Sequence, residues 1–173
     1  MPQNHPNPRV YVLQLRQDDP GKCTAAKLVK FRLATPIYKT RQIPRESLVL
    51  NPFADIYLLN KDRTQAAAHG LVAIDCSWEK AQIAFENRLP GKNKKLPTLL
   101  AANPVNYAKP NKLSSLEAVA ASLYITGFPE SATRLLSLFK WGPHFLTLNA
   151  QPLNAYATAP DESQLRDSIS EFF

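Results

Sequence analysis

The sequence has few of the residues on which common catalytic and ligand-binding motifs depend. Five glycines among 173 residues leave no glycine-rich phosphate loop, and the patterns GxGxxG, GxxxxGK[ST] and GxSxG are absent. The two cysteines cannot build a disulfide framework, and neither lies in a CxxC metal pattern. A nucleotide-containing ligand would therefore have to be held by backbone groups of apolar loops.

Long apolar runs are also missing. No window approaches 18 uninterrupted apolar residues, so no membrane-spanning helix is expected, and the first ten residues lack the apolar core of a secretory signal. The three histidines lack metal-ligand spacing, so we predict no metal site and structural or surface roles for His5, His69 and His144. With 45% hydrophobic residues the chain can bury a core, and we expect a cytoplasmic protein.

The charge of the chain is strongly positive and unevenly spread. Residues 1–160 carry 20 basic and 10 acidic side chains, whereas residues 161–173 carry four acids and one arginine. Residues 87–116 contain six basic side chains and no acid. Such a stretch attracts a polyanion, which favours a nucleic-acid partner. The alternative is a solvated loop that is basic only for solubility.

The hydrophobic pattern indicates short apolar strands that alternate with helices. Strands are predicted at 9–15, 47–50 and 71–75, and helices at 22–31, 62–68, 78–89, 116–125, 129–140 and 161–172. Residues 33–45 carry two prolines and are expected to cross the surface. The pattern predicts an α/β protein with a mostly parallel sheet flanked by helices. Such sheets bind ligands beyond the carboxyl ends of their strands, and loops after Leu50, Ile74 and Ala102 are therefore predicted to form one site.

Two features of these loops suggest chemistry. Asp75 ends an apolar strand, where a carboxylate is costly unless it is hydrogen-bonded or used, although it can equally cap the next helix. Trp78 follows one turn later and is either a core residue or a contact for a base or cation. Ser114 and Ser115 open a helix with a capping-box pattern, and such helix starts bind carboxylates or phosphates.

The same loops resemble a known family. The segments that carry the resemblance are Asp75-Cys76-Ser77-Trp78-Glu79, Leu96 to Tyr107 with Ala101-Ala102-Asn103-Pro104-Val105-Asn106-Tyr107, Leu113-Ser114-x-x-Glu117-Ala118, Phe139-Lys140-Trp141-Gly142, and Lys22-Cys23-Thr24 near the start. Over about residues 9–149 the chain resembles the small-subunit ribosomal RNA aminocarboxypropyltransferases of archaea and eukaryotes. Ala108 departs from the pattern, because glycine is expected there.

The resemblance implies a fold like that of the SPOUT RNA methyltransferases, with a deep trefoil knot toward the C-terminus. It divides the chain into an N-terminal α/β region, 1–92, and a knotted region that binds S-adenosylmethionine (SAM), 93–173, with one shared site. The implied reaction moves the 3-amino-3-carboxypropyl group of SAM to N3 of a uridine-type or pseudouridine-type base. The implied partner is small-subunit rRNA or a pre-ribosomal subunit, without a membrane, and we expect a monomer.

The resemblance also implies roles for individual residues. We expect Trp78 to wall off the methyl group and to face the sulfonium, and Asp75 to accept the N3 proton or to orient the base. Predicted cofactor contacts come from Asp75 and Trp78, from backbone near Ile74, Leu96 and Asn111, from apolar walls and from polar groups at the amino-acid end. The walls are Leu50, Ala81, Leu99 and Leu113, and the polar groups are Thr24, Ser114 and Ser115.

RNA contacts are predicted for the basic residues nearest these motifs in sequence: Lys22, Lys27, Arg63, Lys92, Lys94, Lys95 and Arg134. Two alternatives stay open at this stage. A methyltransferase on the same fold differs only in the orientation of SAM, and an RNA-binding ribosome-assembly factor would bind RNA without SAM.

Overall fold

A computed structural model describes residues 6–15, 24–75, 85 and 89–173, and all structural statements refer to these residues. They contain a five-stranded sheet in the order β2-β1-β4-β3-β5, in which every pairing is parallel. The strands are β1 (Val10–Gln14), β2 (Thr35–Ile37), β3 (Leu48–Leu50), β4 (Leu71–Asp75) and β5 (Lys92–Lys94). The prediction of an α/β protein with a parallel sheet is confirmed.

The two edge strands were not predicted from the sequence. Residues 33–45 were expected to cross the surface, but β2 within them pairs with β1 although it contains Pro36. Proline is tolerated there because an edge strand leaves one row of amides unpaired. On the other edge, β5 reads Lys-Asn-Lys and has no apolar residue, so no strand pattern is visible in its sequence.

Helices cover both the sheet and the C-terminal half. They are α1 (Thr24–Lys30), α2 (Arg63–His69), α3 (Ser115–Ile125), α4 (Pro129–Leu136), α5 (Gly142–Leu148), α6 (Ala150–Thr158) and α7 (Glu162–Phe172). The helix predicted at 129–140 ends earlier, and α5 and α6 were missed; each contains a proline, which obscures the helical pattern. Most of the helix predicted at 78–89 lies outside the described residues.

The two faces of the sheet bury different groups of side chains. Successive residues of a strand point to opposite faces, so Leu71 and Ala73 pack in the larger core while Val72 and Ile74 pack in the smaller one. Helix α3 contacts β4 and α1, and eight of its eleven residues are buried. An amphipathic surface helix would bury only one stripe. Helix α3 is therefore a central element of the larger core.

Side-chain hydrogen bonds hold the segment between β5 and α3, which forms no strand. Asn149 is fully buried; its Oδ1 accepts from the amide of Leu100 at 2.8 Å, and its Nδ2 donates to the carbonyl of the same residue at 2.9 Å. The Tyr156 hydroxyl donates to the carbonyl of Thr98 at 2.8 Å, and burial raises the pKa of that phenol above its ordinary range. These bonds replace the ladder that a strand would have supplied.

The following loop turns back through two residues with left-handed backbone. Ala108 has φ +62° and Asn111 has φ +61°. The amide of Ala108 donates to the carbonyl of Ala101 at 2.7 Å, which fixes the turn. Asparagine tolerates this region, whereas an alanine there is strained. The left-handed turn explains why glycine was expected at position 108.

We predict that Ala108→Gly stabilises the protein. The left-handed region costs an L-residue roughly 1–2 kcal/mol, and glycine loses about 0.5–1 kcal/mol more backbone entropy on folding, so a net gain of up to about 1.5 kcal/mol is expected. The midpoint of thermal unfolding should then rise by about 2–4 °C for each kcal/mol gained. Ala155→Gly, within α6, should change the midpoint in the opposite direction. A midpoint for Ala108→Gly at or below that of the wild type would contradict the strain argument.

Candidate active site

The carboxyl ends of β3 and β4 lie side by side at one edge of the sheet. Leu48 pairs with Leu71 and Val49 with Val72, so both strands run toward the same edge. Asp75 ends β4, is half-buried and pairs in register with Gln14 of β1. Alternation along β4 places the Asp75 side chain on the face of Leu71 and Ala73, which is the face covered by α1 and α3.

The first turn of α3 lies against the start of α1. The Oγ1 of Thr24 accepts a hydrogen bond from the amide of Leu116 at 3.2 Å, and the Oγ of Ser114 accepts from the amide of Glu117 at 3.2 Å. The remaining first-turn amide, that of Ser115, bonds to none of the described residues. Helix N-terminal amides carry partial positive charge, so this one is suited to an anionic group.

A buried carboxylate joins this helix start to the preceding loop. Glu117 has no exposed surface and accepts three hydrogen bonds: from the amide of Ala102 at 2.6 Å, from Nδ2 of Asn103 at 2.7 Å and from the amide of Ser114 at 3.0 Å. Asn103 in turn uses its Oδ1 to accept from the amide of Asn106 at 3.0 Å. The capping-box pattern predicted the bond within α3, which is confirmed, but not the two bonds to the loop.

The predicted apolar walls belong mostly to one group of side chains. Leu50, Leu99 and Leu113 are buried in the larger core, and Leu96 is half-buried against it. The Leu99 side chain has no exposed surface, and its carbonyl accepts from the amide of Asn111 at 2.9 Å. The backbone amide of Asn111 is therefore used within the loop. A ligand contact from the backbone of Asn111 would come from its carbonyl.

The smaller core holds the side chain of Ile74, on the opposite face of the sheet. A ligand contact of Ile74 on the α3 face would therefore come from its backbone, which is the group that was predicted to make it. Trp78, which was predicted to cover the methyl group, Ala81, which was predicted as an apolar wall, and Lys22 lie outside the described residues.

Two of the predicted RNA-binding residues have structural partners instead. The Nζ of Lys94 lies 3.5 Å from Oδ1 of Asp62, and the two side chains are 16% and 13% exposed. The Nη1 of Arg63 donates to the carbonyl of Gly127 at 2.8 Å, and its guanidinium lies 4.6 Å from the Phe128 ring centroid. Both side chains are thus engaged within the fold, and their contact with RNA stays a prediction.

The RNA contacts of the other basic residues also stay predictions. Lys92 is exposed and pairs with exposed Glu46 at 3.4 Å, a kind of ion pair that contributes little. Lys27 and Lys95 lie 4.3 Å from the ring centroids of Phe139 and Tyr57 respectively. Arg134 is exposed on α4. Residues 87–116 contain no acidic side chain, but β5 places them beside acidic side chains of earlier segments.

No metal site and no membrane helix are found in the described parts of the chain. They contain no group of three or more histidine, cysteine, aspartate or glutamate side chains placed to hold an ion. None of their helices has both the length and the apolar character needed to cross a bilayer.

Comparison with known proteins identifies the family. Residues 48–173 match the family described as "Ribosome biogenesis protein, C-terminal". The chain is 45% identical over 164 residues to the 16S rRNA aminocarboxypropyltransferase of Vulcanisaeta distributa, covering 94% of this chain and 88% of that protein. It is 41% identical over 165 residues to the protein of the same name from Methanosphaera stadtmanae, covering 95% and 96%. The chain belongs to the 16S rRNA aminocarboxypropyltransferase family.

A solved structure within this family has the same fold. The SAM-dependent rRNA:acp-transferase Tsr3 from Vulcanisaeta distributa superposes with a TM-score of 0.86 at 41% identity, covering 96% of each chain. The resemblance drawn from the sequence motifs is thereby confirmed.

We predict that Glu117→Gln destabilises this site. A glutamine amide replaces one acceptor oxygen by a donor, so at least one of the three buried donors loses its partner, at a cost of about 1–3 kcal/mol. Urea unfolding should show that loss at unchanged m-value.

The matched control is Glu130→Gln, at an exposed position in the first turn of α4. It should change the free energy of unfolding by less than about 0.5 kcal/mol. If the two variants were equally stable, the three hydrogen bonds of Glu117 would not hold the loop.

Proposed function

We propose that this protein transfers the 3-amino-3-carboxypropyl group of SAM to N3 of a uridine-type or pseudouridine-type base in small-subunit rRNA, as a step of ribosome biogenesis. Family membership supports the proposal, because the relatives are named 16S rRNA aminocarboxypropyltransferases. The observation that carries it is the helix start at Ser115, with an amide not bonded within the described chain, on the same sheet face as Asp75.

The amino-acid end of SAM fits the start of α3. Its carboxylate accepts from the amide of Ser115, where the helix dipole favours negative charge. Thr24 adds a second donor: its Oγ1 accepts from the amide of Leu116, so the hydroxyl proton is left to donate to the carboxylate. Ser114 holds the helix start in place through the capping box.

The adenosine end is placed along the apolar side of the loops. We assign its ribose and adenine contacts to backbone groups of Ile74, Leu96 and Asn111. Leu50, Ala81, Leu99 and Leu113 supply the apolar surroundings. The sequence offers no glycine-rich loop, so backbone groups of apolar segments are the available donors and acceptors.

The product depends on which of the carbons bonded to sulfur faces the acceptor base. The N3 lone pair attacks the methylene carbon of the aminocarboxypropyl chain, the bond between that carbon and sulfur breaks, and methylthioadenosine leaves with the electron pair. Asp75 accepts the N3 proton or orients the base, and Trp78 covers the methyl group. A methyltransferase would differ only in presenting the methyl carbon of SAM to the base.

Several finer features belong to the same proposal. The fold is of the SPOUT type with a deep C-terminal trefoil knot; the segment after β5 passes beside residues 56–58, where Leu58 donates to the carbonyl of Lys95 at 2.9 Å. Residues 1–92 and 93–173 form two regions that share the site, and β5 lies at their boundary. The protein acts as a cytoplasmic monomer on small-subunit rRNA or a pre-ribosomal subunit.

Label transfer from SAM tests the reaction. Purified protein is incubated with small-subunit rRNA and SAM labelled either in the carboxyl carbon or in the methyl group. We expect the carboxyl label to enter the RNA and the methyl label to remain with methylthioadenosine. Entry of the methyl label would identify a methyltransferase, and entry of neither label, without SAM binding, would favour an RNA-binding assembly factor.

The variant Asp75→Asn separates chemistry from binding in the same assay. It keeps the size of the side chain but removes the proton acceptor, so transfer should slow by about 10²–10⁴-fold while SAM affinity by calorimetry changes little. Transfer at the wild-type rate would assign Asp75 a structural role.

Salt dependence tests the remaining RNA contacts. Lys92→Gln and Arg134→Gln together should lower the slope of log affinity against log salt by up to about 2, at roughly 0.7–0.9 for each phosphate contact. Lys94→Gln should leave the slope unchanged. It should lower the free energy of unfolding, because Asp62 loses its ion-pair partner at a largely buried position. A reduced slope for Lys94→Gln alone would show that Lys94 contacts the RNA in spite of its ion pair.

A further inference from the structure

An exposed aromatic pair lies on the loop that precedes α3. The Tyr107 hydroxyl and Nε2 of His144 are 3.0 Å apart, and the two rings are stacked with centroids 5.9 Å apart and an angle of 9° between their planes. Tyr107 is nevertheless 53% exposed, and nearby Val105 is 84% exposed. The sequence predicted only a surface or structural role for His144. Nothing in the proposed transfer reaction uses either ring.

The loop that carries Tyr107 is fixed in place. Its first residue, Asn103, is bonded to buried Glu117 and accepts from the amide of Asn106. At the other end, the carbonyl of Lys109 accepts from the amide of Ala101 at 3.1 Å. His144 stands on α5, which also carries fully buried Phe145. The ring of Tyr107 is thus held in one orientation before any partner binds.

The two chain segments that carry this pair are basic in sequence. Tyr107 and His144 lie within residues 87–116 and 131–160, and neither segment contains an aspartate or a glutamate. Lys109, Lys112 and Lys140 are exposed in the same two segments. Glu117, the acid that follows the loop in sequence, is buried and fully hydrogen-bonded. A rigid aromatic face among cations suits a polyanion with flat apolar rings.

We propose that Tyr107, supported by His144, is a stacking platform for an unpaired nucleobase of the rRNA substrate. The inference rests on the proposed function, since a base that reacts at N3 must be unpaired and its neighbours are then free to stack on aromatic side chains. Asn103 joins the platform to the first turn of α3, so the stacked nucleotide lies beside the reacting one. Lysines of the same segments contact the phosphates.

The direct test is the affinity for a fluorescent single-stranded oligouridylate, measured by anisotropy without SAM. Tyr107→Ala should weaken binding about 5- to 150-fold, the range expected for loss of one stacked base. Tyr107→Phe keeps the ring and should bind like the wild type. Phe173→Ala removes an equally exposed ring that directly follows α7 and is the matched control, with no expected effect.

An abasic oligonucleotide of the same length separates stacking from charge. It offers phosphates but no base, so wild type and Tyr107→Ala should bind it equally. Calorimetry with SAM should show unchanged affinity for Tyr107→Ala, which establishes that the cofactor site is intact.

Three results would overturn the platform. They are an unchanged oligouridylate affinity for Tyr107→Ala, an equal loss toward the abasic strand, and a loss in Tyr107→Phe as large as in Tyr107→Ala. Normal oligouridylate binding by Tyr107→Ala with impaired modification of assembled subunits would assign this surface to a protein partner. Each of these leaves label transfer by the wild type unaffected, so the proposed function is judged separately.

Discussion

The buried carboxylate of Glu117 is the interaction on which the candidate site depends. An unpaired carboxylate in a protein interior is strongly unfavourable, and this one is stabilised by three hydrogen bonds from the loop and the helix start. Because the donors come from residues 102, 103 and 114, one side chain fixes both ends of the loop. The position of the loop, the helix amides and Tyr107 all follow from that arrangement.

Around this anchor the parallel sheet supplies the second half of the site. Alternation along β4 directs Asp75 to the face that α3 covers, and Thr24 brings the start of α1 to the first turn of α3. A sulfonium has three carbons open to attack, so the enzyme selects a product by position alone. In the proposed binding mode, a ligand carboxylate held at Ser115 would fix one end of the chain that is transferred.

Much of this architecture could be predicted from the sequence. The strand at Leu71–Asp75 and the capping box at Ser114 were confirmed because each depends on local chemistry that a short pattern records. The edge strands were missed, since Pro36 and the charged run of β5 hide pairing that only the neighbouring strand supplies. Helices α5 and α6 were missed because their prolines interrupt the pattern.

The functional residues divide in the same way. Asp75 and Ser115 could be predicted as candidates because they stand at element ends. The loop contacts of Glu117 and the pairing of Tyr107 with His144 could not, because they join residues distant in sequence. Lys94 shows the same limit of sequence reading, because its sequence neighbours are basic but its spatial neighbour is Asp62. Charge runs predict net attraction to RNA and leave open which lysine supplies it.

The most direct measurement is a crystal structure of the protein with SAM bound. Our account predicts that the ligand carboxylate lies within hydrogen-bond distance of the Ser115 amide and the Thr24 hydroxyl. It also predicts that the methylene carbon next to sulfur faces the open side of the site beside Asp75, with the methyl group turned away. A methyl group directed toward Asp75, or a carboxylate bound away from the start of α3, would contradict it.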